Sequence, residues 1–264
     1  MASTGKWLLR APRGECAARV FCFPFAGVGA SALRHWPDRT GDVELCFVQM
    51  PGRDNRMREE PYHDFESFAA DAADALRPAM DRPFALFGHC MGALLGYALL
   101  VRLEETGGPL PVRLVVSSSL VPHRGFFGPF HPSMDDERLA TDLRRISVAV
   151  SGVEPLPELL PLAVRVLRGD VEMCFGYRPP GPRPLPCPIT TIGWTDDADV
   201  RPEQMTEWRD YAPVREHVLP GDAFTFLNPP ASMFDVVRRE LESDLRGGEV
   251  VVGGGTDHKD GGHV

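Results

Sequence analysis

Residues Phe84 to Leu100 read FALFGHCMGALLGYALL. A short apolar run meets Gly88 and Gly92, which bracket Cys90, and an apolar helix-forming stretch follows at once. Where a strand turns directly into a helix, the residue at the apex is thrust outward, and the flanking positions must be small because the two backbones nearly touch. The stretch therefore reads as a nucleophile elbow, with cysteine at the apex where such turns usually carry serine. A glycine-flanked cysteine inside an ordinary core helix would lack the preceding strand, so the context decides the reading.

Short apolar runs recur on either side of the elbow, near 19–25, 43–49, 83–88, 113–119, 188–193 and 214–221. Nearly continuous apolar runs suit strands of a mostly parallel sheet buried on both faces. Helical segments alternate with them: DFESFAADAADALRPAM opens on an Asp cap at Asp64, and the helix after the elbow should run from about Ala93 to Glu105, before Gly107 and Gly108. The alternation implies an open α/β sheet with helices on both faces. Between about 122 and 186 it breaks, with loop signals and two amphipathic helical runs, DDERLATDLRRI and LPELLPLAVRVLRGDVEMCFGY. That stretch reads as a helical lid over the site, with ordinary crossover helices as the alternative. A single domain over 1–246 and a flexible glycine-rich tail over 247–264 complete the expected layout.

At 264 residues, 43% apolar and 25% charged, the chain has a soluble globular composition. The N-terminal MASTGKWLLRAPRGE lacks the apolar core of a signal peptide, so a cytoplasmic location is expected. Its six cysteines show no C-x-x-C spacing, which argues against a zinc site and a disulfide framework. A net charge of −9 argues against nucleic-acid binding. No strand–helix turn carries a dinucleotide fingerprint, so neither a metal nor a nicotinamide cofactor is expected.

Cysteine at the apex of an elbow sits at a helix N-terminus, whose partial positive charge favours the thiolate. It is thus expected to be partly self-activating, whereas serine needs a neighbouring base. An acyl group on cysteine also remains a thioester, still activated for transfer.

Six segments together resemble the type II thioesterases, α/β-hydrolase proteins acting on phosphopantetheine-borne acyl groups in polyketide and nonribosomal peptide pathways. They are FCFPFAGVGAS (21–31), VQMPGRDNR (48–56), FALFGHCMGA (84–93), VLRGD (166–170), PITTIGWTDD (188–197) and LPGDAF (219–224). The resemblance covers roughly 19–240 and implies the α/β-hydrolase fold and an acyl or peptidyl carrier protein as partner. It implies Asp196 as the triad acid, with Asp197 as the neighbouring candidate. Some relatives place that acid after the strand that follows the elbow, but here the strand ends in Ser117, Ser118 and Ser119. The oxyanion donors are expected from the N–H groups of Met91 and of the loop near Ala26.

Three positions depart from the pattern: Phe25 and Ala223 stand where histidines are usual, and Cys90 stands for serine. The catalytic base is the one missing at Ala223. His89 neighbours the nucleophile, but strand alternation points it away; His217 lies too far along its strand. His123 and His131 sit at the lid boundary, and His258 and His263 in the tail; His258 is the candidate base, and Asp222 an alternative. Phe126, Phe127, Phe130 and Met134 suggest an apolar channel or lid packing.

Lacking a base to activate water, the chain is expected to load an acyl group on Cys90 and release it to another nucleophile. Dieckmann-type cyclisation to a tetramic acid or pyridone is preferred, because a carbon acid between two carbonyls needs only a weak base. Shuttling of an aminoacyl group between carriers is a close variant. A hydrolytic editing thioesterase and a non-catalytic scaffold remain the other readings.

Overall fold

The computed structural model describes residues 4–125, 128–151 and 153–252. Seven strands, β1 (Ala18–Phe23), β2 (Arg39–Thr40), β3 (Val43–Phe47), β4 (Phe84–His89), β5 (Arg113–Ser117), β6 (Ile189–Trp194) and β7 (Val214–Leu219), form one sheet in the order β2-β3-β1-β4-β5-β6-β7. All neighbours pair in parallel except β2 with β3. The six strands read from apolar runs are present. The two-residue β2 is too short to leave a pattern.

Alternation along the strands divides the core in two. Phe21 and Phe23 face helices α2 (Phe65–Leu76) and α3 (Met91–Glu105), while Val20 and Cys22 face α6 (Ala231–Val252) and Trp36. The cap of α2 is as expected: the Asp64 side chain accepts the Ser67 N–H at 2.6 Å. A short helix, α1 (Thr4–Trp7), places Trp7 on the α2 side. On the other face, buried Arg113 of β5 donates to Asp244 of α6 at 2.6 and 2.7 Å, which locks that helix to the sheet. Helix α6 runs past Gly247 and Gly248 to Val252, so residues 247–252 of the expected tail are helical, and 253–264 lie outside the described residues. Each glycine weakens a helix by only about 1 kcal/mol. His258 and His263 lie outside the described residues. Among the described residues no helix is long and apolar enough to cross a membrane.

Between β5 and β6 stand α4 (Asp136–Ser151) and α5 (Leu160–Gly176), both foreseen in the insertion. They share a small core of their own, in which Leu139 packs with Leu160, Val164, Leu167 and Val171. Together they roof the sheet's C-terminal edge over Cys90.

The elbow explains its glycines. A Cβ on Gly88 would lie 2.0 Å from the Gly92 carbonyl carbon, and one on Gly92 2.6 Å from the Phe23 oxygen. Backbone cannot yield there as a flexible side chain would. Gly88→Ala is therefore expected to cost about 3 kcal/mol or more. Thermal unfolding would measure it, and a melting point unchanged from the parent would show that the elbow can open.

Candidate active site

At the end of β4 the chain enters the elbow with Cys90 at φ 53° and ψ −121°, a left-handed conformation that costs a non-glycine residue of the order of 1 to 3 kcal/mol. The strain is held from both sides: the Cys90 N–H donates to the Ser117 oxygen at 3.0 Å, and the Ala93 N–H donates to the Cys90 oxygen at 3.0 Å. The side chain borders a cavity of about 110 Å³ beneath α4 and α5. Leu143, Leu167, Val171, Phe130 and Phe224 make most of its wall apolar. Met134 belongs instead to the lid's own packing, and Phe126 and Phe127 lie outside the described residues. A larger groove of about 840 Å³ runs past Tyr97, Tyr177 and Arg183, but neither Cys90 nor Asp197 borders it. The chemistry belongs to the smaller cavity.

Of the two candidate acids, the cavity takes in Asp197 and not Asp196. Asp196 is exposed, its N–H given to the Gly221 oxygen at 2.8 Å, and it does not reach the cavity. Asp197 is buried and lines it. Its Oδ1 accepts the N–H groups of Asp199 and Val200 at 2.9 and 3.0 Å, while Oδ2 has no partner. Those two bonds fold the turn after β6 and aim the carboxylate inward. Ser118, which begins the loop after β5, also lines the cavity with a buried hydroxyl that has no partner, on a backbone with φ 43°. The loop carries no acid, and its unpaired hydroxyl leaves no mark in the sequence.

Ala223, at the position of the usual histidine, borders the same cavity, as does Phe25. Among the described residues, the other candidate bases are engaged elsewhere. Asp222 is exposed, its Oδ1 accepting the N–H groups of Phe224 and Thr225, and lies off the cavity. His217 Nε2 lies 3.1 Å from Glu240 Oε1, His123 Nδ1 lies 2.9 Å from the Tyr211 hydroxyl, and His131 Nδ1 lies 2.8 Å from Ser133 Oγ. His89 is the packed residue that strand alternation implies: it is buried, with its ring stacked 3.7 Å from that of Phe226 and Nδ1 3.0 Å from Ser117 Oγ, and it also borders the cavity. Burial pushes its imidazole down to about 3, so it stays neutral.

The thiol is corrected in direction. Burial pushes Cys90 up to about 12; the carboxylates of Asp197 and Asp199 add to the rise, and the Met91 N–H bonded to the thiol opposes it. Desolvation and like charge outweigh the helix terminus. Such a thiol is overwhelmingly protonated at pH 7. Alkylation of Cys90 by iodoacetamide is accordingly expected to be slow at pH 7 and to rise about tenfold per pH unit up to pH 9, read by peptide mass at Cys90. A rate that levels off below pH 8 would mean that the helix terminus prevails after all.

Met91 and Ala26, the two expected oxyanion residues, both border the cavity. The loop that carries Ala26 is held by a buried network absent from the expectations. Asp170 of α5 accepts the Gly27 N–H at 2.7 Å and pairs with Arg53 through two contacts of 2.7 Å, and Arg53 also donates to the Val28 oxygen at 3.1 Å. Asp170 of VLRGD and Arg53 of PGR are 117 residues apart in the chain and meet only in space.

Residues 18–241 match the model of a family described as the thioesterase domain. Gramicidin S biosynthesis protein GrsT of Aneurinibacillus migulanus is 29% identical over 245 residues, 91% of this chain and 96% of its own. Among solved structures, the RedJ thioesterase of the prodiginine pathway of Streptomyces coelicolor superposes with a TM-score of 0.72 at 34% identity, over 89% of this chain and 96% of its own. YbtT, a type II thioesterase of the yersiniabactin NRPS/PKS pathway, does so with a TM-score of 0.77 at 28% identity, over 90% and 98%. With the elbow, the parallel sheet and the helical roof, the match places this chain in the thioesterase-domain family on the α/β-hydrolase fold.

Proposed function

We propose that the protein is a type II-like thioesterase of nonribosomal peptide or polyketide biosynthesis that takes an acyl group from a carrier's phosphopantetheine onto Cys90 and releases it to an acceptor other than water. In loading, the Cys90 sulfur bonds to the acyl carbon and the pantetheine C–S bond breaks. The proton of the Cys90 thiol ends on the departing pantetheine sulfur. Thiol-to-thiol exchange of this kind is nearly neutral in free energy. The relatives support the acyl-thioester class and the carrier as partner.

One observation carries the release step: cysteine holds the elbow apex and Asp197 the acid position, but Ala223 stands where an imidazole would join them. Hydrolysis of an acyl-enzyme needs a base to activate water. Among the described residues bordering the cavity the only imidazole is His89, kept neutral and stacked. Suitable acceptors are a second thiol or a carbon acid already acidified by two carbonyls, the latter giving Dieckmann cyclisation with Asp197 as the weak base. A scaffold would have no use for the strained φ at Cys90, which every variant with glycine there would relieve.

Incubation with an acyl-pantetheine thioester, followed by intact mass, tests the reading. A persistent adduct absent from Cys90→Ala, cleared by an added thiol or by an internal carbon nucleophile, is the expected result. Rapid turnover to free acid without an adduct would sink it in favour of hydrolytic editing, the activity that the relatives called type II thioesterases make the natural second reading.

A further inference from the structure

We propose that the cavity beside Cys90 binds the primary ammonium group of an aminoacyl thioester, held by Asp197 Oδ2 and Ser118 Oγ. The inference rests on the reading of Cys90 as an acyl acceptor and names the class of acyl group.

Charge is the first argument. Asp197 and Asp199 both border the cavity, and no lysine or arginine does among the described residues. His89 is no substitute, being neutral and stacked on Phe226. A buried carboxylate without a cation or a full set of hydrogen bonds is costly, so a cation brought by the substrate would find it waiting.

Unmet hydrogen bonding is the second. Asp197 is 4% exposed and Ser118 3% exposed, and the two atoms Asp197 Oδ2 and Ser118 Oγ are the buried side-chain oxygens without a partner among the described residues. Both belong to residues bordering the one apolar cavity that also contains the nucleophile. Ser118 stands at φ 43°, its N–H donating to the Ile192 oxygen at 3.2 Å, which fixes the residue at the cavity edge. An ammonium supplies three donors, enough for both acceptors. Space is the third argument, since Ala223 puts no more than a methyl group on the cavity wall.

The consequence reaches the nucleophile. A cation next to Cys90 opposes the carboxylates that hold the thiol up, so an aminoacyl substrate raises the thiolate fraction on arrival. A des-amino acyl group of the same shape does not. Among the possible releases this favours transfer to a second carrier thiol, in which the same exchange runs again and the amine stays free.

The test compares alanyl- and propionyl-S-N-acetylcysteamine, which differ in the amine. Binding is measured by titration calorimetry on Cys90→Ala, and acylation by intact mass on the parent protein. Alanyl binding is expected to be about ten- to a hundredfold tighter, the range for a charge-assisted hydrogen bond, and acylation correspondingly faster. The preference should collapse in Asp197→Asn and shrink in Ser118→Gly, which tolerates the positive φ and removes the hydroxyl together with its methylene. Equal binding of the two thioesters, or a preference that survives both substitutions, overturns the proposal. If the preference in binding holds but neither thioester labels Cys90, the acyl-enzyme reading fails and the ammonium site stands. If both label Cys90 equally and bind equally, only the ammonium site fails.

Discussion

Ala223→His is expected to turn a slow acyl-enzyme into a hydrolase, raising the rate at which free acid leaves Cys90 by about 10² to 10⁴, the usual contribution of a positioned general base. The reason is already in place around the position. Ala223 shares the cavity with Cys90 and Asp197, and Asp197 Oδ2 has no partner. An imidazole there would give one N–H to that carboxylate and present its other nitrogen to the thiol. The ion pair so formed would also pull Cys90 down from about 12, so iodoacetamide should alkylate the variant faster at pH 7 than the parent. Adding Asp197→Asn should remove most of the gain, because an asparagine cannot hold the required tautomer. Single-turnover release of free acid from an acylated protein measures the effect. An unchanged release rate, with alkylation accelerated, would show that water has no room to attack and that the cavity excludes hydrolysis by shape.

How much of this arrangement can be read from the sequence follows from the range of the forces involved. The elbow is legible because Gly88 and Gly92 answer a contact between segments four residues apart. The central strands are legible because burial on both faces leaves continuous apolar runs. Asp196 and Asp197 could not be told apart in the same way. In an irregular turn neighbouring side chains have no fixed period, and what turns Asp197 inward is its pair of bonds to the N–H groups of Asp199 and Val200. His89 follows the alternation of β4, on the side of Ala85 and Phe87, where Phe226, far along the chain, fixes its ring; what the sequence hides is that this ring also meets the cavity. The direction of the Cys90 shift depends on a roof supplied by α4 and α5 and on two carboxylates more than a hundred residues away. A local rule about helix termini has no access to either.

The largest of these hidden contacts yields the other strong expectation. Asp170→Asn should slow acylation of Cys90 by about 10² to 10³, the typical loss when an oxyanion donor is misplaced, while alkylation of the same thiol changes by no more than a few fold. Asp170 holds the Gly27 N–H and Arg53 at once, each at 2.7 Å, and Arg53 in turn holds the Val28 oxygen. The loop whose Ala26 borders the cavity is thereby fixed to α5, the helix whose Leu167 and Val171 form the cavity wall. Asparagine can fill the same volume but cannot accept the guanidinium with both oxygens, so the loop slackens without the roof falling in. Alkylation by iodoacetamide builds no oxyanion and should not notice. Asp170→Ala is a harsher change, because it strands a guanidinium that is only 4% exposed; removing one partner of such a buried pair costs about 3 to 5 kcal/mol, visible as a lower melting point. A parallel fall of acylation and alkylation in Asp170→Asn would mean that the pair merely holds the roof open, and the link between lid helix and oxyanion loop would have to be given up.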